Sequence, residues 1–116
     1  MKAELIDGNK IAKEVRSEVA HGVASLKNTC GVTPGLAAML IGDNPASEVY
    51  VRNKSRTCEQ VGIYAQTFRM SGNASEEEVL DQVDKINEDP SFHGILAQMP
   101  FPEQIPTRRV LEALAV

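Results

Sequence analysis

The sequence lacks most of the features that would place it in a specialised class of protein. Its two cysteines, Cys30 and Cys58, have neither CxxC spacing nor a histidine at metal-ligand distance, so we expect free, buried thiols and no metal. No apolar run approaches the roughly 20 residues that a membrane-spanning helix needs. The N-terminus carries Glu4 and leads into no apolar stretch, unlike a signal peptide. We therefore expect a cytoplasmic protein that does not enter a membrane.

Positive charge and phosphate-binding loops are scarce as well. Twelve Lys and Arg stand against sixteen Asp and Glu, giving a formal net charge of −4, and the basic residues are scattered. Such a surface does not attract phosphates, which argues against a nucleic-acid partner. No GxGxxG motif is present, and the turn at 42–45 lacks the glycines that let a pyrophosphate approach the backbone. The sequence therefore shows no nucleotide site.

The whole sequence has the composition of a globular domain, with 42% hydrophobic and 24% charged residues, and its first half shows the corresponding patterning. Apolar residues at helical spacing predict a helix from Asp7-Gly8 to Gly31, with an apolar stripe formed by Ile11, Val15, Val19, Val23 and Leu26. The continuous apolar run at 36–41 predicts a strand buried on both faces. A second helix is expected from about Ala46 to Val61, with Gly62 as its left-handed cap.

The second half repeats this alternation. Residues 64–68 predict a strand, Ser75 and Glu78 form a capping box for a helix that Asp89-Pro90 closes, and residues 94–97 predict a third buried strand. A last helix begins near Pro106 and carries Val110, Leu111 and Leu114. Short strands separated by single helices predict an α/β fold of three α/β/α layers around a mainly parallel sheet. We expect one domain over 1–116, truncated at its C-terminal end because Leu114-Ala115-Val116 stops inside an apolar pattern.

The carboxyl ends of the predicted strands, at 42–44, 70–73 and 98–102, mark the edge where open parallel sheets bind ligands. The helix that starts beside the first of them places Ser47, Tyr50 and Lys54 on one face, because their spacing is i, i+3, i+7. Glu48 and Arg52 lie on other faces, where their i, i+4 spacing allows them to pair as a solvated couple. A hydroxyl, an aromatic ring and an amine therefore share one stripe near the ligand edge.

Each of these residues also has an ordinary structural interpretation. A helical lysine is usually solvated, a tyrosine often fills a rim, and a serine in a first turn often satisfies backbone amides. A glutamine at a strand end usually pairs with backbone, and prolines there stop the ladder. These alternatives apply to Lys54, Tyr50, Ser47, Gln98, Pro100 and Pro102, while His21 and His93 receive no functional assignment.

Three segments together resemble the bifunctional methylenetetrahydrofolate dehydrogenase/methenyltetrahydrofolate cyclohydrolase family. They are Ile6-Asp7-Gly8 with Ile11-Ala12, the Gly-Asp-x-Pro-Ala-Ser-x-x-Tyr-Val-x-x-Lys stretch at 42–54, and the Gly-Ile-Leu-x-Gln-x-Pro-x-Pro stretch at 94–102. The second and third are specific to that family, and the resemblance runs from Leu5 to Leu114. Ala97, Met99 and Phe101 stand where the family tends to have Val, Leu and Leu, and the apolar character is kept.

The resemblance implies a role for each matching residue. Lys54 matches the catalytic lysine, Tyr50 the tyrosine that packs on the folate ring system, and Gln98 the glutamine that positions the lysine. Ser47 matches a supporting serine, and Ala97, Met99 and Pro100 match the segment lining the folate pocket. The resemblance implies that these four residues bind the folate substrate together with Tyr50, Lys54 and Gln98. A methenyl intermediate carries positive charge and would favour a neutral amine beside it, so Lys54 is expected to act as the base that activates water.

The resemblance also implies parts that this sequence does not contain. NADP or NAD is expected to bind a following Rossmann-type domain, and the parent enzyme is expected to be a homodimer that interconverts 5,10-methylene-, 5,10-methenyl- and 10-formyl-tetrahydrofolate. One alternative is a stand-alone, non-catalytic folate-binding or scaffold domain. Another is an unrelated flavodoxin-like binding module. Retention of Tyr50, Lys54 and Gln98 together argues against a site that has decayed.

Overall fold

Helices and strands alternate along the chain in the predicted order in the computed structural model, which describes residues 2–115. The elements are α1 Gly8–Cys30, β1 Gly35–Ile41, α2 Pro45–Val61, β2 Tyr64–Met70, α3 Glu76–Glu88, β3 Gly94–Gln98 and α4 Thr107–Ala113. None of the helices in the described part of the chain combines the length and the apolar character needed to cross a membrane.

Local cap chemistry sets the helix ends where the sequence predicts them. The carboxylate of Asp7 accepts a bond from the Lys10 amide, and the Ser75 hydroxyl oxygen accepts one from the Glu78 amide. Gly31 and Gly62 end α1 and α2 with φ of 67° and 91°. Glycine adopts this left-handed conformation without steric cost, because it has no Cβ.

The three strands form a parallel sheet in the order β2-β1-β3. Alternate residues of the central strand β1 face opposite sides. Ala38 and Leu40 pack with Val51 of α2 on one side, while Ala37, Met39 and Ile41 belong to a larger core on the other. That core is completed by α3, α4 and the segments around them, including Val79, Val83, Ile86 and Val110. The predicted three-layer α/β/α arrangement is therefore confirmed.

Several predicted details are wrong. The third strand, predicted to be buried, is half-buried throughout, because β3 is an edge strand with a neighbour on one side only. The second strand continues to Met70, two residues beyond the predicted end, since each of its residues pairs with β1. The last helix ends at Ala113, so Leu114 is its cap rather than a member of its apolar face, and Leu111 is exposed. Val116 lies outside the described residues.

The predicted stripe of α1 is helical but mostly uncovered. Only Val23 is buried, because α1 packs on α2 and Val23 lies beside Gly62 at the end of α2. The other four members of the stripe keep 39–50% of their surface exposed: Ile11, Val15, Val19 and Leu26. Spacing alone predicted the face and could not determine how much of it the rest of the described chain would cover.

His93, which received no functional assignment from the sequence, bonds to the start of the central strand β1. Its Nδ1 accepts a 3.0 Å hydrogen bond from the N–H of Gly35, and its own N–H donates to the Gly35 carbonyl at 2.8 Å. Gly35 is buried, so its N–H depends on this acceptor. The imidazole therefore satisfies a backbone group at the junction of β1 and β3.

Replacing His93 by phenylalanine is expected to lower the free energy of unfolding by about 1–3 kcal/mol, because a buried donor loses its acceptor. Urea unfolding followed by circular dichroism measures the change. His21→Phe, on the exposed face of α1, is the matched control and should leave the midpoint nearly unchanged. Equal midpoints for His93→Phe and the wild type would show that water replaces the imidazole without cost.

Candidate functional site

The carboxyl ends of the three strands meet in one cleft. The N–H of Gly42, just after β1, donates to the carbonyl of Met70 at the end of β2 over 2.9 Å. A cleft of about 390 Å³ opens between these ends, lined by Ile41, Gly42, Asp43, Asn44, Gly72, Pro100, Phe101 and Pro102. The predicted convergence of 42–44, 70–73 and 98–102 at one edge is confirmed.

Helix α2 begins beside this cleft because Asn44 and Pro45 together form its N-terminus. The side-chain oxygen of Asn44 accepts from the amides of Ala46 (3.0 Å) and Ser47 (3.3 Å), and Pro45 has no N–H to satisfy. The sequence interpretation that Ser47 satisfies these amides is wrong, since Asn44 does so. Ser47 is left free to bond elsewhere.

Lys54 is joined to Gln98 across 44 residues of sequence. The Lys54 ammonium or amine nitrogen donates to Oε1 of Gln98 at 2.8 Å. Strand register brings the two side chains together. Gln98 pairs with Leu40, so its side chain lies on the sheet face on which Leu40 packs against α2. The general interpretation of Lys54 as a merely solvated helix lysine is wrong in this respect: it remains exposed but has a specific partner.

Ser47 bonds to the same segment at the next residue, Met99. Its side chain is only 2% exposed, and its hydroxyl donates to the carbonyl of Met99 at 3.2 Å. The Nε2 of Gln98 donates to that same carbonyl at 3.1 Å. The first turn of α2 and the end of β3 are thus connected through one backbone oxygen.

A shallow apolar hollow adjoins Lys54. It has a volume of about 350 Å³ and is lined by Leu36, Asn53, Lys54, Thr57 and Cys58. Of these five residues, the sequence analysis proposed only Lys54 as a site residue. The i+4 spacing of Cys58 from Lys54 could have placed Cys58 beside the amine. Leu36 is distant in sequence and lies there only because of the fold. An amine at the border of an open, apolar surface is suited to a flat, largely apolar ligand with a few polar groups.

The other predicted residues occupy different positions around this centre. Tyr50 is 58% exposed, one turn before Lys54, and its ring is available to a ligand. Pro100 lines the cleft at the strand ends, and the Met99 side chain is 45% exposed. Ala97 precedes Gln98 in β3, so the alternation of the strand directs its side chain to the opposite face of the sheet from Lys54. The fold does not bring the Ala97 side chain to the amine.

The charged residues of α2 pair differently from the prediction. Glu48 forms an ion pair with Arg69 of β2, rather than with Arg52 one turn along its own helix. Both partners are on neighbouring elements that pack together, and a pair between elements was not visible in the local spacing. This pair connects the first turn of α2, which carries Ser47, to β2.

The two cysteines are both free thiols, but only one is buried. Cys58 lies on the buried face of α2, and burial raises the pKa of its thiol. Cys30, predicted to be buried, is exposed because it ends α1 beyond the region that packs on α2.

Because Cys30 is exposed and Cys58 is buried, we expect iodoacetamide to label Cys30 well before Cys58 in the folded chain. A raised pKa leaves less thiolate at neutral pH, so labelling of Cys58 should accelerate as the pH rises further. Peptide mass spectrometry of a time course separates the two sites, and labelling in urea provides the control with both thiols accessible. Equal rates in the folded chain would contradict the buried position of Cys58.

Comparison with known proteins finds one family throughout. The family model described as tetrahydrofolate dehydrogenase/cyclohydrolase, catalytic domain, matches residues 6–116. The bifunctional protein FolD of Moorella thermoacetica is 49% identical over 116 residues, which is 100% of this chain and 41% of the relative.

Solved structures agree with that match. A 5,10-methylenetetrahydrofolate dehydrogenase from the silkworm Bombyx mori superposes with a TM-score of 0.94 at 37% identity, over 98% of this chain and 39% of that one. The Trypanosoma brucei methylenetetrahydrofolate dehydrogenase-cyclohydrolase, solved with NADP cofactor and inhibitor, gives 0.91 at 28% identity over 99% and 39%. The chain spans about two fifths of the length of the relatives that it matches.

Proposed function

This chain belongs to the tetrahydrofolate dehydrogenase/cyclohydrolase family, and from that membership we propose that it supplies the folate pocket and the catalytic lysine of a bifunctional enzyme. The reactions are oxidation of 5,10-methylene- to 5,10-methenyl-tetrahydrofolate and hydrolysis of the latter to the 10-formyl form. The observation that carries the proposal is the 2.8 Å bond between Lys54 and Gln98 beside an open apolar hollow.

In the hydrolytic step, the proposed base is the neutral amine of Lys54. Its Nζ accepts a proton from water while the water oxygen bonds to the methenyl carbon, which gives a neutral hydroxyl intermediate. The same proton then passes to the ring nitrogen as the bond between that nitrogen and the carbon breaks, and the hydroxyl proton is released to solvent as the formyl C=O forms. Gln98 holds the amine in place through an acceptor oxygen, so the nitrogen lone pair is directed away from Gln98. The exposed ring of Tyr50 offers a face on which a flat pterin ring would stack.

The N-terminus of α2, beside the cleft, offers no site for the pyrophosphate of a dinucleotide. Helix N-termini bind pyrophosphate through free amides, but the first amides of α2 are already bonded to the Asn44 side chain and its backbone carbonyl, and Pro45 contributes none. We therefore propose that NADP or NAD binds a part of the protein outside this chain. When bound, that cofactor accepts the hydride from the methylene carbon.

Three further expectations from the sequence stay proposals: homodimerisation of the parent enzyme, a cytoplasmic location, and Met99 and Pro100 as folate-pocket residues. The pocket contacts expected for Ser47 and Ala97 are not carried forward, because Ser47 is 2% exposed and the Ala97 side chain lies on the sheet face opposite Lys54. The stand-alone, non-catalytic folate-binding domain is the alternative function. It shares the pocket with the leading proposal and differs in having no turnover, so an assay separates the two.

The proposal is tested by following the loss of the 5,10-methenyl-tetrahydrofolate chromophore with the native polypeptide that carries this chain. Titration of the same folate into the 116-residue chain measures binding separately. Binding with turnover in the native polypeptide supports the bifunctional enzyme. Binding without turnover supports the alternative, and absence of both would overturn the assignment of a folate pocket.

A further inference from the structure

The orientation of the Gln98 amide follows from the carbonyl of Met99. A carbonyl oxygen only accepts hydrogen bonds, so Gln98 must present its NH₂ group to Met99, and the 3.1 Å distance is that of Nε2. The other end of the same amide, Oε1, is then turned towards Lys54, where it accepts at 2.8 Å. Reversing the amide would place two acceptors, Oε1 of Gln98 and the Met99 carbonyl oxygen, against each other.

The Met99 carbonyl is in turn held by Ser47. It accepts the Ser47 hydroxyl at 3.2 Å in addition to Gln98, which uses both lone pairs of the oxygen. Ser47 is 2% exposed, and its hydroxyl proton is committed to this bond. A residue so buried, with its only donor used, is poorly placed to touch a substrate.

We propose that Ser47 is a positioning residue, which acts through the Met99 carbonyl to fix the Gln98 amide and, through that amide, the Lys54 amine. The proposal rests on the proposed function for its consequence in catalysis, and it replaces the substrate contact expected for Ser47 from the sequence. The order of action is Ser47 hydroxyl, Met99 oxygen, Gln98 amide and Lys54 nitrogen, which spans α2, the end of β3, and α2 again.

Ser47→Ala and Ser47→Cys distinguish this chain of bonds from simple packing. Alanine removes the donor and leaves a small void, while cysteine fills the volume with a weak donor. If the hydrogen bond matters, both variants are impaired; if only volume matters, cysteine restores the wild-type behaviour. Ser55→Ala is the matched control, since Ser55 is on the same helix but faces Thr67 of β2 at 3.5 Å.

The first readout needs no substrate. In the ¹⁵N-labelled chain, the side-chain NH₂ signals of Gln98 report the bond to Met99, and Gln98→Leu assigns them by their disappearance. We expect these signals to shift and to exchange faster with solvent in both Ser47 variants, and to stay unchanged in Ser55→Ala. Unchanged Gln98 signals in a folded Ser47→Ala chain would overturn the proposal, whatever the enzyme assay shows.

The second readout is the hydrolysis rate of the native polypeptide. A positioning role predicts that kcat falls roughly tenfold in Ser47→Ala while KM changes by less than about twofold, as for misplacement of a catalytic group. A rise in KM with kcat unchanged would instead show direct binding of substrate by Ser47 and would overturn the proposal. If no variant, including the wild type, hydrolyses the substrate, the proposed function fails while the Gln98 signals still decide the positioning role.

Discussion

Replacing Lys54 by methionine is expected to reduce hydrolysis of 5,10-methenyl-tetrahydrofolate by on the order of 10²–10⁴-fold in the native polypeptide, the range that a positioned acid–base group contributes. Methionine keeps the length and helix preference of the side chain and removes its nitrogen. Lys54 is exposed, so its loss should not weaken the core. The measurement is kcat/KM for loss of the methenyl chromophore.

Lys13→Met controls for the general effect of removing a lysine, because Lys13 is exposed on α1, away from Gln98 and the strand ends. It should leave both activity and stability unchanged. Circular dichroism of Lys54→Met should match the wild type, since the variant removes one bond at an exposed position. Near-normal hydrolysis by a folded Lys54→Met enzyme would remove Lys54 from the mechanism and, with it, the main support for Gln98 and Ser47.

Replacing Gly35 by alanine is expected to produce the largest loss of stability in the chain. A Cβ at this position would lie 1.9 Å from the carbonyl oxygen of Ser91 and 3.0 Å from its carbon. Both atoms are backbone, so relief of the clash requires the loop before β3 to move. The same movement would break the two hydrogen bonds that join Gly35 to His93. We expect a loss of about 3 kcal/mol or more in the free energy of unfolding.

Gly22→Ala is the matched control for this substitution. Gly22 lies in the interior of α1, and an added Cβ there meets no atom within 4 Å. Alanine should therefore stabilise the chain by about 0.5–1 kcal/mol through its better helix preference. Urea unfolding of both variants decides the point: a Gly35→Ala midpoint equal to or above that of the wild type would show that the loop yields without cost.

The positions of the helices could be predicted to within a residue or two, because the features that end a helix are local. Asp7, Gly31, Gly62 and Ser75 act on amides or backbone angles within a few residues of themselves. The strand ends were less certain. Met70 extends β2 because β1 offers it a partner, which is information held by another part of the chain.

For the candidate site, spacing alone placed Ser47, Tyr50 and Lys54 on one helix face, and the resemblance to a family supplied their expected roles. What no local pattern contained was the pairing between distant segments. Glu48 pairs with Arg69 rather than with the nearby Arg52, and His93 accepts from Gly35. Both contacts form because the packing of neighbouring elements brings these groups within hydrogen-bond distance. The exposure of most of the α1 stripe likewise depended on where α1 packs.

The sequence by itself therefore determined the alternation of helices and strands, the helix caps, and the face of α2 that carries the amine, since each follows from residues close together in the chain. The tertiary structure decided that the Lys54 amine bonds to Gln98. Pairing of Leu40 with Gln98 puts the amide on the α2 side of the sheet, and the same alternation turns Ala97 away from it. Strand register is a property of two segments together, which is why it became visible only in the folded chain.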